Sequence, residues 1–237
     1  MFERFRQRSL ELEHIDKGDY TPEEYESCLV ELRRVNRWLG DASALRHTAL
    51  AEFERVGARE FSLLDVGAGS GELLRVVARW ARARGAGTRL VGVELNERSA
   101  RSILEESGGL AEISSVRADA LRLPFDDDAF DYCICSLFTH HFRDEGVVAV
   151  LREMARVARR RIYVIDLHRH ALAYFLYTTA GRLLLRSRLV REDGALSILR
   201  GFVPEELRRL GERAGLSGAR VERHFPYRLV LSGSKAR

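Results

Sequence analysis

The residues with the plainest chemical purpose run from Leu63 to Leu74: Leu63-Leu64-Asp65-Val66-Gly67-Ala68-Gly69-Ser70-Gly71-Glu72-Leu73-Leu74. An apolar run, a glycine-dense turn and a helix start, in that order, make a cradle for a nucleoside-bearing cofactor at the carboxyl end of a parallel strand. Gly67, Gly69 and Gly71 let the backbone bend sharply and lie against a ligand where a Cβ would clash. The spacing is not that of a dinucleotide fingerprint, whose third glycine falls one residue later, where Glu72 stands. A P-loop would need Gly-Lys-Ser/Thr, which is absent. Glu94 ends the second expected strand, followed by Leu95. An acid at that tip can accept hydrogen bonds from both ribose hydroxyls, although it serves nicotinamide cofactors equally and has a plainer use as a helix cap.

Asp65 followed by Gly-x-Gly-x-Gly resembles motif I of the class I S-adenosylmethionine-dependent methyltransferases. After the third expected strand comes Arg117-Ala118-Asp119-Ala120. In that class an acid here faces the exocyclic amine of adenine, so Asp119 resembles that residue, with the Ala120 N–H near the ring. Leu123–Tyr132 (Leu-Pro-Phe-Asp-Asp-Asp-Ala-Phe-Asp-Tyr) is similar to a segment of the ubiquinone/menaquinone-type methyltransferases and their small-molecule relatives. These features cover residues 61 to 142. The resemblance implies S-adenosyl-L-methionine as cofactor, held by Asp65, Gly67, Ala68, Gly69, Gly71, Glu94, Leu95, Asp119, Ala120 and Ser136.

Strand four exits into Ser136-Leu137-Phe138-Thr139-His140-His141-Phe142, the position where an acceptor meets the transferable methyl. A histidine there can be a general base, because its ordinary pKa lies near neutrality. It can equally pack, or cap the next helix. His141 is placed narrowly ahead of His140 as the catalytic residue, with His168 after strand five as a further candidate. No Asp/Glu cluster points to a catalytic divalent metal, so no metal ligand is assigned. Base-amine methyltransferases often carry Asn/Asp-Pro-Pro-Tyr/Phe after strand four, and Ser136-Leu137-Phe138-Thr139 differs from it. The expected activity is methyl transfer to a small hydrophobic acceptor, phenolic, quinone-like or polyketide. The alternatives are a nucleic-acid or protein methyltransferase, or a cofactor-binding module without turnover.

The elements that must position these residues follow from periodicity. From Phe61 onward, strands and helices alternate, which predicts an α/β, Rossmann-like, doubly wound and mostly parallel seven-stranded sheet. The expected strands are Ser62–Val66, Arg89–Glu94, Ile113–Arg117, Phe130–Ser136 and Arg161–Asp166, then a hairpin of Gly218–Phe225 and Tyr227–Leu231 at the sheet edge. Thr21-Pro22-Glu23-Glu24 opens a helix with apolar Tyr25, Leu29, Leu32, Val35 and Leu39 on one face. Gly40-Asp41 starts another that runs to Gly57, and both are expected to cover part of the cofactor cleft. The section from His168 to about Arg191 is expected to be helical, and aromatics such as Tyr174, Phe175 and Tyr177 can wall an acceptor pocket or simply pack. A single domain is expected over 1–237: a helical cap (1–60), a cofactor-binding core (61–167), and a helical cover with a hairpin (168–237).

Bulk properties set the remaining limits. The 237 residues are 46% hydrophobic and 31% charged, with formal net charge +4, a globular composition. The arginines are dispersed among Glu and Ala along helices, as solvated faces are, which argues against a nucleic-acid surface. Arg159-Arg160-Arg161 is the densest cluster and is expected in a solvent-facing loop. The three cysteines, Cys28, Cys133 and Cys135, have no paired spacing and fit a reducing cytoplasm, with Cys133 and Cys135 on one strand face. The N-terminal residues show no secretory h-region, and no stretch has the length of a membrane span, so any membrane contact would be peripheral. The oligomeric state is left open.

Overall fold

The computed structural model describes residues 3–21, 23–25, 27–28, 30–31, 35 and 39–236. Strands β1 (Glu60–Val66), β2 (Gly87–Glu94), β3 (Ile113–Arg117), β4 (Phe130–Ser136), β5 (Ala158–Leu167), β6 (Leu216–His224) and β7 (Arg228–Lys235) form one sheet in the order β3-β2-β1-β4-β5-β7-β6. β1 to β5 run parallel, while β7 lies antiparallel to both β5 and β6. This is the doubly wound arrangement expected, with the hairpin at the sheet edge. Strand order reverses between β1 and β4, which opens a crevice at their carboxyl ends.

The apolar runs are continuous because both faces of the sheet are covered. Successive side chains on a strand point to opposite faces, so each strand feeds two cores. Leu64, Val66, Cys133, Cys135, Ile162 and Val164 pack with Leu151 and Met154 of α3 (Asp144–Val157) and Leu207 of α6 (Pro204–Arg213). Leu63, Tyr132, Ile134, Tyr163 and Ile165 face the other way, against Leu74 and Val77 of α1 (Glu72–Arg82) and Leu50 and Phe53 of the N-terminal helices. Cys133 and Cys135 do share one face as core residues, and burial pushes both thiols well above their ordinary range. After β2, Asn96 caps α2 (Glu97–Glu106) by accepting from the Arg98 and Ser99 N–H groups.

At the N-terminus, Thr21 and Glu24 cap each other's backbone N–H groups, as the helix-start pattern predicts. Pro22, Leu29 and Leu32 of that expected helix lie outside the described residues. Tyr25 is half-buried, and burial raises its hydroxyl above the ordinary range. The next helix follows the expected path but in three consecutive pieces, Asp41–Leu45, Arg46–Leu50 and Ala51–Arg55, the middle one a wider π turn.

The section expected to be helical from His168 to Arg191 is so, as two helices, α4 (Ala171–Leu184) and α5 (Arg188–Arg200). His170 caps α4 by accepting from Leu172 N–H, and Ser187 caps α5 by accepting from Val190 N–H, so each helix has its own start signal. Arg159-Arg160-Arg161 is not a loop: β5 begins at Ala158, paired with Phe130. Arg159 and Arg160 pair with Asp131, and Arg161 with Glu52, so ion pairs hold the cluster in the strand.

Candidate active site

β1 hands the chain to the glycine turn at Val66. The N–H groups of Gly67 and Ala68 both donate to the Val93 carbonyl, at 3.0 and 3.1 Å, which ties the turn to the tip of β2. Gly67, Gly69 and Gly71 all have positive φ, +69°, +56° and +79°. A Cβ on Gly67 would lie 2.6 Å from the Phe138 ring, whereas one on Gly69 would meet nothing within 4 Å. Gly67 therefore serves close packing, while Gly69 faces open space where a ligand can approach the backbone.

Glu94 faces this turn: its Oε1 accepts from the Gly69 N–H at 2.6 Å. Burial raises the Glu94 carboxyl above the usual range, and the N–H groups of Gly69, Leu95 and Asn96 only partly oppose that. Asp65 is buried two residues before the turn, and its Oδ1 has no hydrogen-bond partner. Burial, and then the charge of Glu94, push its carboxyl well above the carboxylate range. An orphaned buried oxygen costs free energy until a donor reaches it, and an ammonium group would supply both the donor and the missing counter-charge. Asp119 is exposed at the end of β3, where its Oδ1 accepts from Leu121 N–H at 2.9 Å. Ala120 beside it is buried, Leu95 is exposed at the tip of β2, and Ser136 is half-buried at the end of β4. The residues assigned to the cofactor thus line one edge of the sheet, from β3 across to β4.

A cavity of about 460 Å³ adjoins that edge at the carboxyl ends of β4 and β5. Its walls are largely apolar, with Leu176, Tyr177 and Leu184 of α4, Ile198 of α5, and Phe225 and Tyr227 of the hairpin turn. Its polar wall holds Glu13, His140, His141, His168 and Arg228. Leu137, between β4 and His140, also lines it and has an unusual left-handed backbone, φ +50°.

His140 is buried, with its Nδ1 2.6 Å from Asp166 Oδ1. Burial alone would raise the Asp166 carboxyl, but the His140 imidazole outweighs it, helped by the Thr139 hydroxyl and the Leu167 N–H, and holds it at about 2. An ionised Asp166 accepts the Nδ1–H, which leaves Nε2 as the basic nitrogen. That Nε2 lies 3.8 Å from Glu13 Oε1. His141 is less buried and its Nδ1 lies 3.3 Å from Asp16. Burial would lower its pKa, but the hydrogen bond to Asp16 and the charge of Glu13 prevail and raise it. His168 goes the other way: burial, then His170, Arg223 and Arg169, bring it to about 4. The charge of His141, on the cavity wall, also favours the ionised form of Glu94.

The sequence reading missed Glu13, Asp16, Arg8 and Arg200. The two arginines donate to the His140 carbonyl, at 3.3 Å from Arg8 and 3.1 Å from Arg200, and Arg200 also donates to the His141 carbonyl at 2.6 Å. Glu13, His140 and His141 bring one possible metal-ligand atom each to within 4.8 Å of one another. Asp166, Asp16 and Ser197 already hydrogen-bond these groups, and the Arg200 guanidinium lies 3.7 Å from Glu13.

Sheet order and the glycine turn, with acids at the tips of β1, β2 and β3, are the arrangement of the class I S-adenosylmethionine-dependent methyltransferase fold. Residues 64–173 match the methyltransferase-domain family. Demethylmenaquinone methyltransferase of Roseiflexus castenholzii is 36% identical over 40% of this chain, which spans only 37% of that protein's length. Demethylmenaquinone methyltransferase of Staphylococcus aureus is 26% identical over 67% of this chain and 68% of its own. A SAM-dependent methyltransferase from Aquifex aeolicus has the same fold, with TM-score 0.60 at 18% identity, over 82% of this chain and 89% of that one.

Proposed function

We propose that this chain transfers the methyl group of S-adenosyl-L-methionine to a hydroxyl oxygen of a small, apolar, phenolic or quinol-type molecule. The observation that carries the reading is the His140–Asp166 pair on the wall of an apolar cavity that adjoins the cofactor crevice. The similarity to demethylmenaquinone methyltransferases supports a ring-bearing hydrophobic acceptor.

The crevice residues fit the cofactor. The orphaned Asp65 Oδ1 would take the donor of its amino-acid end, Glu94 would hold its ribose hydroxyls, and Asp119 and Ala120 its adenine. When bound, the cofactor supplies an already activated methyl group beside the cavity. The protein's own tasks are to align the acceptor, exclude water and take its proton. Asp166 fixes the His140 ring so that Nε2 would be presented as the base for the acceptor's hydroxyl proton. Glu13 and Asp166 then flank the imidazolium, one carboxylate at each nitrogen. His141, held by Asp16, lies beside His140 at 4.4 Å between ring centroids and completes the polar wall. Across the cavity, the buried Arg228 Nη2 has no hydrogen-bond partner, a donor suited to a second oxygen on the acceptor.

The chain acts as one unit over 1–237, with the cap and cover enclosing the acceptor. Among the described residues no helix is long and apolar enough to cross a membrane. The free cysteines fit a cytoplasmic setting. The test is a methyl-transfer screen over phenols, quinols and amines with labelled S-adenosyl-L-methionine. A phenol or quinol should turn over, and His140→Gln should abolish its methylation while leaving S-adenosylhomocysteine affinity intact. Exclusive methylation of amines, or a fully active variant, sinks the reading.

A further inference from the structure

Helix α4 is arranged inside out. Of its fourteen residues only Ala173 and Gly181 are fully buried. Its large apolar side chains point to solvent instead: Leu172, Phe175, Leu176, Leu183 and Leu184 are all exposed, Leu183 at 84%. At 100° per residue, Leu172, Phe175, Leu176 and Leu183 fall on one stripe, and Leu184 flanks it. A surface helix normally turns such a stripe inward, and a contiguous exposed apolar patch marks a contact surface.

The patch is continuous with the mouth of the acceptor cavity. Leu176, Leu184 and Phe225 line the cavity and are themselves exposed, Phe225 at 88%. Arginines edge it, while Glu31, Glu192 and Asp193 stand on neighbouring elements. Residues 167–191 contain five arginines and no acidic residue, and Arg182 and Arg186 are exposed beside the stripe. An apolar stripe edged by arginine is the composition of a helix that lies in the interface of an anionic bilayer.

We propose that α4 and the Phe225 tip seat this protein on an anionic lipid surface, so that an apolar acceptor passes from the bilayer into the cavity without crossing water. The delivery step rests on the reading of the cavity as an acceptor pocket, whereas the seating does not. Leu172, Phe175 and Leu183 enter the hydrocarbon edge, and Arg182 and Arg186 meet the headgroup phosphates. The lipid is recognised by charge and depth alone.

The test is co-sedimentation of the full chain with vesicles of phosphatidylcholine and of phosphatidylcholine with phosphatidylglycerol, without acceptor or cofactor. Binding should be stronger to the anionic vesicles and weaken with salt, as screened charges do. The double variant Phe175→Ser, Leu183→Ser should lose at least about tenfold in partitioning. Arg182→Glu, Arg186→Glu should remove the preference for anionic vesicles. Both positions of the first variant lie outside the cavity wall, and unchanged S-adenosylhomocysteine affinity verifies its fold. Absence of vesicle binding, or binding that both variants retain, overturns the proposal. So does a dimer in solution that the serine variant dissociates, because a second copy would then cover the face. The methyl-transfer screen is scored on soluble acceptors, so either reading can fail alone.

Discussion

The Nδ1 of His140 lies 2.6 Å from the Oδ1 of Asp166, with both side chains buried. The two residues come from the ends of neighbouring parallel strands, twenty-six positions apart. Asp166→Asn keeps the shape but removes the charge that fixes the imidazole. Its kcat for a phenolic acceptor should fall about a hundredfold or more, with S-adenosylhomocysteine affinity unchanged by calorimetry. His141→Gln should cost far less. A larger loss in His141→Gln than in His140→Gln would transfer the base role to His141.

Glu94 already receives the Gly69 N–H, so its carboxylate is held across from the turn. Glu94→Ala should weaken S-adenosylhomocysteine binding by roughly ten- to a hundredfold, the usual loss for a charged hydrogen-bond acceptor. Asp65→Ala should weaken it too, because the proposed site matches the orphaned Oδ1 with the ligand's donor. Titration calorimetry reads both, and unchanged affinity in either variant removes that residue from the cofactor site.

The turn glycines should respond differently to alanine. Gly67→Ala adds a left-handed strain and a Cβ 2.6 Å from the Phe138 ring. The combined destabilisation should be about 2 kcal/mol or more. Gly69→Ala meets no neighbour, so only the backbone term of about 1 kcal/mol applies. Urea midpoints compare the two, and equal losses would contradict the packing role of Gly67.

His168 titrates at about 4 in the folded chain, against 6.5 for an unhindered histidine. The unfolded state therefore takes up the proton first. The stabilising effect is complete above 6.5 and is lost as pH falls from there to about 4. Urea midpoints measured across this window should fall for the native chain and fall less for His168→Gln. A flat native profile would mean that His168 is not held neutral by its surroundings.

The strand ends assigned to the cofactor were legible because their signals are local. Asp65, the three glycines, Glu94 and Asp119 each stand at the end of a strand whose apolar run is readable, and the parallel sheet brings those ends to one edge. The acceptor half was not. Glu13 and Asp16 come from an N-terminal stretch with one short helix, His14–Lys17, and meet Arg200 and His141 across more than a hundred residues. No periodicity announces such contacts. The aromatics of α4 were only partly readable: Tyr177 lines the cavity, while Tyr174 packs on Phe5 and Phe175 points to solvent. His140 and His141 stood out as a pair with His141 narrowly ahead, and the proposed preference for His140 rests on Asp166, a contact that no local pattern announces.

The acceptor chamber takes Glu13 from one end of the chain and Arg228 from the other. During synthesis, the nucleoside cradle is complete once Ser136 has left the ribosome, yet the chamber gains its last wall only some ninety residues later. On the proposed assignment, a truncated product would keep the strand tips meant for the donor and lose walls of the chamber meant for the acceptor.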